Sequence, residues 1–427
     1  MAAMSPASST RSVRVPGDKS ISHRALICAA MANGRSRVKH ILPSADVHST
    51  ASVLRALGAG IPELTEDIRI DGRGLGGLQP ATVDLDCGNS GTTARLMCGV
   101  LSAHRFESRL TGDASLSRRP MARVARPLTA MGATFAFDEG EHLPMVVHGA
   151  ALQSIAWESP TASAQVKSAI LFAGVVAGVG VTVMEPVKSR DHTERMLCAL
   201  GVEVNSCGGR ASLVPATELS AFQIDVPADP SSAAFLAALA AAGGIPGGAA
   251  LALTDVALNP TRLGFFRVLR EMGADVTWEV EREECGEPVG TITVAPRTLT
   301  GVQIRPEQVP SMIDELPLLA CLATRAHGET EVRGASELRV KESDRITAVV
   351  QNLRAVGADA EELSDGLRVR GSGEALGGPV IAHGDHRLAM AFGVLGAVSG
   401  RAIDVDDRHC VSVSYPGFWD DLARVTA

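Results

Sequence analysis

One short pattern recurs five times along the chain and constrains its fold more than any other feature. The pattern is Leu-x-x-apolar-Gly followed by Ala or Val, and successive glycines lie 74, 69, 72 and 84 residues apart. Glycine tolerates the left-handed conformation in which many helices end, so each copy predicts a helix C-terminus. The five glycines are Gly58, Gly132, Gly201, Gly273 and Gly357.

A second series, made of polar or charged clusters, alternates with these glycines. Each cluster opens an Ala- and Leu-rich run, which predicts a buried helix. The clusters begin near Asp18, Asn89, Ser163, Asp229, Asp314 and Asp385, at intervals of 71, 74, 66, 85 and 71 residues. We therefore predict six copies of one unit, each with a buried helix, a more amphipathic helix and intervening strands. The sixth copy ends in Trp419–Val425 without a hairpin, and the strand-like Val13-Arg-Val15 is expected to complete its sheet.

Two near-copies of a four-residue segment predict the domain boundary. Val15-Pro-Gly-Asp18 and Val226-Pro-Ala-Asp229 are separated by three repeat units. We interpret them as the two strands of a crossover between lobes of three units each. The predicted lobes are residues 18–228 and, containing both termini, residues 1–17 with 229–427; the crossovers lie near 15–18 and 226–229.

Composition limits the function of this chain of 427 residues. A net charge of −8, no basic tract and only 3% aromatic residues argue against a nucleic-acid partner. No apolar run approaches the roughly 20 residues of a membrane span. The eight cysteines form no Cys-x-x-Cys pair, which is typical of free thiols in a reducing cytosol. The first eleven residues lack the apolar core of a secretory signal, so we expect a mobile leader and a cytoplasmic protein.

The six helix starts are predicted to form an anion receptor. A helix N-terminus carries free N–H groups and partial positive charge, so several of them facing one cleft bind anions. For any one Ser or Asn a simple N-cap is the plainer interpretation, but six in register with several cations favour a site. The side chains at these starts include Lys19, Ser20, Arg24, Asn89, Thr92, Thr93, Ser163, Gln165, Ser231, Ser232, His386 and Arg387.

Two further segments add cations without opening a buried helix. The segment Gly112–Met121 contributes Arg118 and Arg119. If Arg339–Arg345 forms the first turns of the helix that ends at Gly357, Lys341 and Arg345 are i, i+4 neighbours, and their repulsion favours a bound anion. A solvated face balanced by neighbouring acids is the alternative.

Several segments together resemble the 5-enolpyruvylshikimate-3-phosphate synthase family, in order from residue 13 to about residue 419. The resemblance implies transfer of the enolpyruvyl group of phosphoenolpyruvate to the 5-hydroxyl of shikimate 3-phosphate, with release of phosphate. It also implies an α/β (α+β) fold, a two-lobed inside-out barrel of six βαβαββ repeats whose lobes close over the substrates. The matching segments are Gly17–Arg24, Gly88–Arg95, Gly112–Met121, Ser163–Lys167, Arg190–Glu194, Asn259–Arg262, Asp314-Glu315, Leu338–Arg345 and Asp385–Arg387.

The charge of these substrates suits the matching positions. Each phosphate carries about −1.5 to −2, so with two carboxylates the pair brings roughly −5 to −6. Arginine suits bidentate binding of such groups. The seven cations at matching positions are Lys19, Arg24, Arg119, Arg190, Lys341, Arg345 and Arg387.

The resemblance also implies roles for individual residues. Asp314 is the implied base that takes the proton of the 5-hydroxyl, and an N-cap is its alternative role. Glu342, with Lys341 or His386 nearby, is the implied acid; Lys19 is a further implied catalytic group. The implied shikimate 3-phosphate contacts are Lys19, Ser20, Arg24, Ser163, Ala164, Gln165, Arg190, Asp314 and Lys341. The implied phosphoenolpyruvate contacts are Lys19, Asn89, Gly91, Thr92, Arg119, Gln165, Arg345 and Arg387.

Two features depart from the common form of the family that this chain resembles. The common family form has a Lys where Val413-Ser-Tyr-Pro416 stands here, so either another cation protonates the leaving group or that Lys is dispensable in this branch. Several segments have the form of the branch often associated with glyphosate tolerance. Gly91 nevertheless stays Gly, where a methyl group would crowd that inhibitor, so we expect partial tolerance at most.

Two alternative functions remain open at this point. A sister enzyme transfers enolpyruvyl to UDP-N-acetylglucosamine, but its reactive-loop Cys has no counterpart in Gly112–Pro120. A non-catalytic anion-binding protein on the same fold is the other alternative. We expect no metal, because His192, His383 and His386 lack ligand-like spacing, and no organic cofactor, because no dinucleotide fingerprint occurs. A monomer with small-molecule substrates is predicted.

Overall fold

The computed structural model describes residues 10–427, so residues 1–9 of the predicted leader lie outside the described residues. The chain divides into two compact units. The central unit comprises Gly17–Pro227 together with Glu283–Glu287. The terminal unit comprises Ala228–Arg282, Pro288–Ala427 and the described residues up to Pro16.

One to three strands separate successive helices along the described chain. The helices are α1 (Lys19–Met31), α2 (Ala45–Ala56), α3 (Gly91–Ser102), α4 (Ala122–Met131), α5 (Ala164–Ala177), α6 (His192–Ala199), α7 (Pro230–Ala241), α8 (Gly264–Glu271), α9 (Leu316–Ala323), α10 (Arg345–Ala355), α11 (His386–Val398) and α12 (Phe418–Thr426). The strands are β1 (Arg11–Val13), β2 (Arg35–Lys39), β3 (Asp67–Asp71), β4 (Leu85–Asp86), β5 (Glu107–Thr111), β6 (Thr134–Phe137), β7 (Met145–His148), β8 (Ile155–Glu158), β9 (Val181–Met184), β10 (Val204–Cys207), β11 (Arg210–Leu213), β12 (Gln223–Asp225), β13 (Leu251–Ala257), β14 (Asp275–Glu284), β15 (Glu287–Ala295), β16 (Gln303–Ile304), β17 (Gly328–Val332), β18 (Asp359–Leu363), β19 (Gly366–Gly371), β20 (Leu376–Val380) and β21 (Gly400–Val405).

The sheets of the central unit combine a parallel pair with antiparallel strands. Their strand orders are β12-β2-β3, β4-β5-β7-β6 and β10-β11-β9-β8. In the second sheet β4 and β5 are parallel and joined through α3, whereas β7 runs antiparallel to both β5 and β6. The third sheet has the same pattern around α5, with β8 parallel to β9. A parallel pair requires a crossover, and the buried helix supplies it.

The sheets of the terminal unit follow the same plan, except at the end of the chain. Their orders are β1-β13-β15-β14, β16-β17-β19-β18 and β20-β21. The N-terminal strand is Arg11–Val13 and pairs in parallel with β13, so the expectation that it completes the sixth sheet was wrong. The N–H of Asp229 donates to the carbonyl of Pro16 at 2.9 Å, so the residues after β1 lie beside the start of α7. Strand β13 follows α7 in the chain, and β1 therefore pairs with the strand that comes after this helix.

The two Val-Pro-x-Asp segments make equivalent local structure. In the central unit the N–H of Asp18 donates to the carbonyl of Pro227 at 2.7 Å, as Asp229 does to Pro16 in the terminal unit. Each aspartate then caps a helix: Asp18 accepts from the N–H of Ile21, and Asp229 from that of Ser231. Strand β12 ends shortly before Pro227 and pairs in parallel with β2, the strand that follows α1. Strand β1 pairs in the same way with β13, the strand that follows α7.

The buried helices form the core of each unit, as the small apolar residues predict. In α7 every residue is buried, and α3 and α5 approach so closely that a Cβ on Gly99 would lie 2.1 Å from the carbonyl oxygen of Ala169. The predicted helix ends are confirmed, since all five glycines have φ between 85° and 120°. Among the described residues no helix is both long and apolar enough to cross a bilayer.

Candidate active site

Five of the six buried helices begin with a side-chain cap, which confirms the predicted helix starts. The carboxylate or hydroxyl accepts a hydrogen bond from the first turn of its own helix, and this satisfies one otherwise unpaired N–H. The capping residues are Asp18, Ser90, Ser163, Asp229 and Asp385.

The start of α9 is different from the other five. Asp314 lies in a 3-10 turn, Ile313–Glu315, and the residue at the helix boundary is Glu315, which makes no side-chain cap. The alternative role of Asp314 as an N-cap is therefore wrong. The pyrrolidine of Pro317 at the first helical turn fixes a helical φ without needing an N–H partner, which explains how this helix begins uncapped.

The start of α1 places two predicted cations within the central unit. Lys19 Nζ lies 2.7 Å from Asp46 Oδ2. Arg24 is buried and donates from Nε to Thr193 Oγ1 at 2.6 Å and from Nη2 to Ser168 Oγ at 2.8 Å. Its Nη1 donates to the carbonyl of Ser20. Burial lowers the pKa of Arg24 to about 10, so the group is still cationic at neutral pH.

The starts of α3 and α5 are joined by side-chain hydrogen bonds. Arg119 Nη2 donates to Asn89 Oδ1 at 2.7 Å. Gln165 donates from Nε2 to Thr92 Oγ1 at 3.1 Å and accepts at Oε1 from Arg95 Nη1 at 2.8 Å. The predicted phosphoenolpyruvate contacts of this unit, Lys19 apart, thus share one cluster with Arg95.

Gly91 allows this cluster to close. A Cβ at that position would lie 2.7 Å from Arg95 Nη1 and 3.5 Å from Arg119 Nη1. Sequence reasoning missed Arg95 as a site residue although it lies in the matching segment Gly88–Arg95. The available signal was its spacing, because residues i and i+4 share a helix face and Arg95 follows Gly91 by four.

In the terminal unit one buried guanidinium contacts three carboxylates. Arg345 is 2% exposed, and its Nε lies 2.8 Å from Asp385 Oδ2. Its Nη2 lies 2.7 Å from Glu342 Oε2 and its Nη1 3.4 Å from Asp314 Oδ1. Burial lowers the pKa of Arg345, but Asp385 and Glu342 outweigh burial, and the pKa lies above its ordinary value. The two predicted proton-transfer residues therefore contact one buried cation.

The segment Arg339–Arg345 does not form the first turns of the helix that ends at Gly357, so the condition for a helical pair of Lys341 and Arg345 is not met. Helix α10 begins only at Arg345, because Asp344 caps it by accepting from the N–H of Thr347 at 3.1 Å. Lys341 precedes the helix and its Nζ lies 3.7 Å from Glu337 Oε1. Lys341 and Arg345 are consequently not i, i+4 partners on a helix.

The remaining predicted residues lie at the ends of elements. His386 and Arg387 open α11, both are buried, and the Arg387 guanidinium lies 5.9 Å from the centroid of the Phe235 ring. Arg190 directly precedes the N-cap of α6, and Val413 ends a 3-10 turn. Within residues 10–427 no group of three or more His, Cys, Asp or Glu side chains is arranged to hold a metal ion.

The fold first identifies a class. The enolpyruvyl transferase NikO from Streptomyces tendae has a TM-score of 0.76 at 17% identity, over 98% of this chain and 95% of its own. At that identity the likeness shows the fold alone, which is the enolpyruvyl transferase fold. The EPSP synthase from Acinetobacter baumannii has a TM-score of 0.85 at 40% identity, covering 98% of this chain and 96% of that one.

Sequence comparison then gives the family. Residues 5–422 match the profile of EPSP synthase (3-phosphoshikimate 1-carboxyvinyltransferase). The chain is 49% identical over 420 residues to the 3-phosphoshikimate 1-carboxyvinyltransferase of Sulfurihydrogenibium sp., covering 97% of each chain. It is 47% identical over 419 residues to that of Aquifex aeolicus, with 97% and 96% covered. This chain belongs to the EPSP synthase family.

Proposed function

We propose that this chain is the enzyme that transfers the enolpyruvyl group of phosphoenolpyruvate to the 5-hydroxyl of shikimate 3-phosphate. The products are 5-enolpyruvylshikimate 3-phosphate and inorganic phosphate, on the shikimate pathway to chorismate and the aromatic amino acids. The observation that carries the proposal is family membership over nearly the whole chain, with relatives of this named activity at 49% identity and 97% coverage.

In the central unit the proposed ligands are cations and donors at helix starts. Shikimate 3-phosphate is bound by Lys19, Ser20, Arg24, Ser163, Ala164, Gln165 and Arg190. Phosphoenolpyruvate is bound by Lys19, Asn89, Gly91, Thr92, Arg119 and Gln165. The capped starts of α1, α3 and α5 support these assignments, since partial positive charge at helix N-termini stabilises anions.

In the terminal unit the proposed work is proton transfer. Asp314 takes the proton of the 5-hydroxyl as that oxygen attacks C2 of phosphoenolpyruvate, and Glu342, with Lys341 or His386, supplies the proton that C3 gains. The tetrahedral adduct then loses a proton from C3 as the C2–O bond to phosphate breaks. The contacts of both carboxylates with Arg345 support this assignment, because a fixed cation holds each acid in one place.

Additional residues complete the proposed site. Arg345 and Arg387 bind phosphoenolpyruvate, and Asp314 and Lys341 also contact shikimate 3-phosphate. With Val413 at the position of the common family Lys, protonation of the leaving phosphate falls to another cation, for which we propose Lys19. Its ammonium already lies beside Asp46 at 2.7 Å, which supports a fixed, charged group at the start of α1.

The finer architecture is also part of the proposal. We propose two domains, residues 18–228 and residues 1–17 with 229–427, built from six βαβαββ repeats as an inside-out α/β barrel. The strand orders β4-β5-β7-β6 and β10-β11-β9-β8, with β16-β17-β19-β18, support a common repeat. An experimental structure in which these sheets lack the shared order would contradict it.

The proposed protein is a cytoplasmic monomer with no nucleic-acid or membrane partner. The net charge of −8 supports the absence of nucleic acid, because phosphate backbones are bound by basic surfaces. Light scattering of the purified protein measures the oligomeric state, and a mass of twice the 44.4 kDa chain would contradict the monomer.

One assay tests the function against its alternatives. Release of inorganic phosphate from phosphoenolpyruvate is measured with shikimate 3-phosphate and, separately, with UDP-N-acetylglucosamine as acceptor. We expect release with the first acceptor alone. Release with the second would favour the sister activity, and release with neither, from protein that still binds shikimate 3-phosphate, would favour a non-catalytic anion-binding protein.

A further inference from the structure

Helix α5 carries one charged side chain in an otherwise small and apolar buried face. Lys167 is 3% exposed at its side chain, and burial of a lysine is costly unless its charge is compensated. Its Nζ lies 2.9 Å from Glu185 Oε2 and 2.9 Å from Glu194 Oε1. The two carboxylates are equally buried, so the three residues form an ion triad inside the central unit.

The electrostatics keep this lysine charged. Burial lowers the pKa of Lys167, but the attraction of Glu194 and Glu185 outweighs burial, and the pKa lies above its ordinary value. An ammonium has three protons to donate. Here the ammonium forms ion pairs with the two carboxylates and donates to the carbonyl of Ser189 at 3.5 Å. Because the side chain of Lys167 is only 3% exposed, its effect on a substrate must pass through these partners.

Glu185 is the partner that reaches two proposed ligand segments. Its Oε1 accepts from the backbone N–H of Ser163 at 2.7 Å. Its two oxygens also lie 2.8 and 2.7 Å from Ser189 Oγ, and Oε2 accepts from the N–H of Ser189. Ser163 caps α5, and Ser189 directly precedes Arg190. One carboxylate thus fixes the start of α5 and the segment that carries Arg190.

The neighbours of Lys167 and Glu194 hold a third proposed ligand. Ser168 follows Lys167, and Thr193 precedes Glu194; their hydroxyls are hydrogen-bonded to each other at 2.7 Å. Both hydroxyls accept from Arg24, as described above. Glu194 also offsets part of the effect of burial on the pKa of Arg24. The position of Arg24 consequently depends on how α5 and α6 lie against each other, which the ion triad fixes.

We infer that Lys167 is a positioning residue for the binding of shikimate 3-phosphate. With Glu185 and Glu194 it fixes Ser163, the Arg190 segment and Arg24, three groups that the proposed function assigns to that substrate and on which this inference rests. Loss of the lysine leaves two buried carboxylates facing each other, and their repulsion displaces these groups. The residue thereby sets affinity for one substrate without touching it.

The test is steady-state kinetics of Lys167→Met with each substrate varied in turn. Misplacing binding groups by about 1 Å can cost about 100-fold, so we expect KM for shikimate 3-phosphate to rise by about 10- to 100-fold. The KM for phosphoenolpyruvate and kcat at saturation should change by less than about twofold. Direct calorimetric titration with shikimate 3-phosphate alone should show the same loss of affinity.

Charge restoration distinguishes positioning from packing. The triad carries a net charge of −1 in the native protein, −2 in Lys167→Met, and −1 again in Lys167→Met with Glu194→Gln, in which Glu185 still accepts from Ser163 and Ser189. We expect this double variant to recover most of the affinity. A loss caused by packing alone would instead be equal or larger in the double variant, which would overturn the inference.

Matched controls define the remaining outcomes. Arg35→Met breaks an exposed ion pair with Asp71 in the same unit and should leave both KM values unchanged. A normal KM for shikimate 3-phosphate in folded Lys167→Met, or an equal rise for both substrates, would refute the positioning role. If Lys167→Met does not fold, Glu185→Ala, which removes the acceptor of the Ser163 and Ser189 N–H groups and leaves Lys167 paired with Glu194, must show the selective rise. Absence of turnover in the native protein would refute the proposed function instead.

Discussion

Two buried arginines, one in each unit, are held in opposite ways. In the described part of the chain the guanidinium of Arg24 forms no ion pair, and its hydrogen bonds go to two hydroxyls and a carbonyl. The guanidinium of Arg345 contacts the carboxylates of Asp385, Glu342 and Asp314. Neutral acceptors orient a cation without neutralising it, whereas three carboxylates more than neutralise it.

The difference in partners assigns different work to the two units. An arginine whose partners are neutral keeps its positive charge for an anionic ligand. The lowered pKa of Arg24 means that burial destabilises the charged form of this side chain in the folded protein. An arginine surrounded by carboxylates orients them and keeps only part of its charge for the proposed contact with phosphoenolpyruvate. The anion binding proposed around Arg24 and the proton transfer proposed around Arg345 thus rest on the same residue type in two settings.

The largest effect should come from the proton acceptor. Asp314→Ala removes the proposed base, and loss of a general base costs about 100- to 10,000-fold in rate. Because the substrate cations of the central unit are untouched, dissociation constants for shikimate 3-phosphate should change little. Phosphate release and calorimetric titration measure the two quantities. A kcat within tenfold of the native value would remove Asp314 from the proposed mechanism.

The next largest effect should be a difference in the free energy of unfolding between variants of Arg345 and Arg24. Arg345→Gln leaves three carboxylates without their cation, and breaking a buried ion cluster typically costs about 3–5 kcal/mol in the free energy of unfolding. Arg24→Gln removes a buried charge that forms no ion pair, so stability should fall far less while KM for shikimate 3-phosphate rises. Denaturant unfolding compares them; equal destabilisation by both variants would contradict the comparison.

Local signals made the helix starts predictable. Asp18, Ser163 and Asp229 are strong N-caps followed by Ala- and Leu-rich runs, so the element type and its first residue follow from a few neighbouring residues. The family resemblance added candidate site residues at those starts. Neither signal contains the distances among residues far apart in sequence.

Contacts over long sequence separations account for part of what was wrong or missed. Strand β1 pairs with β13, whose residues lie 240 positions further along the chain. Arg95 donates a hydrogen bond to Gln165 across 70 residues. Lys167 gave a local signal that was not used. A lysine inside a helix that is otherwise apolar predicts buried carboxylate partners, although the sequence does not say which.

A smaller effect should follow from a single methyl group beside Arg95. Gly91→Ala places a Cβ against Arg95 Nη1, which must move and release Gln165. An added methyl group in a tight site is worth about tenfold in discrimination, so KM for phosphoenolpyruvate should rise by about that factor or less. Inhibition by glyphosate should weaken further than in the native protein, for which we expect partial tolerance at most.

A change in helix stability should not account for the rise in KM that we expect of Gly91→Ala. Alanine is favoured over glycine in a helix by about 1 kcal/mol, and α3 begins at this residue, so the variant should fold normally. Gly417→Ala, at a glycine with nothing near its Cβ position, is the matched control and should leave KM unchanged. An unchanged KM in Gly91→Ala would mean that Arg95 does not set the position of Gln165.

The smallest effect should come from His23, a buried histidine in α1. Burial, with Lys19 and Arg24, holds the pKa of His23 well below its ordinary value, and its Nδ1 lies 2.7 Å from Thr50 Oγ1. As pH falls below about 6.5 the unfolded chain gains a proton that the folded protein does not bind, so stability falls. One proton limits the slope to about 1.4 kcal/mol per pH unit. Thermal unfolding between pH 7.5 and 5 should therefore show a shallower loss in His23→Gln than in the native protein, and parallel curves would exclude this histidine as the cause.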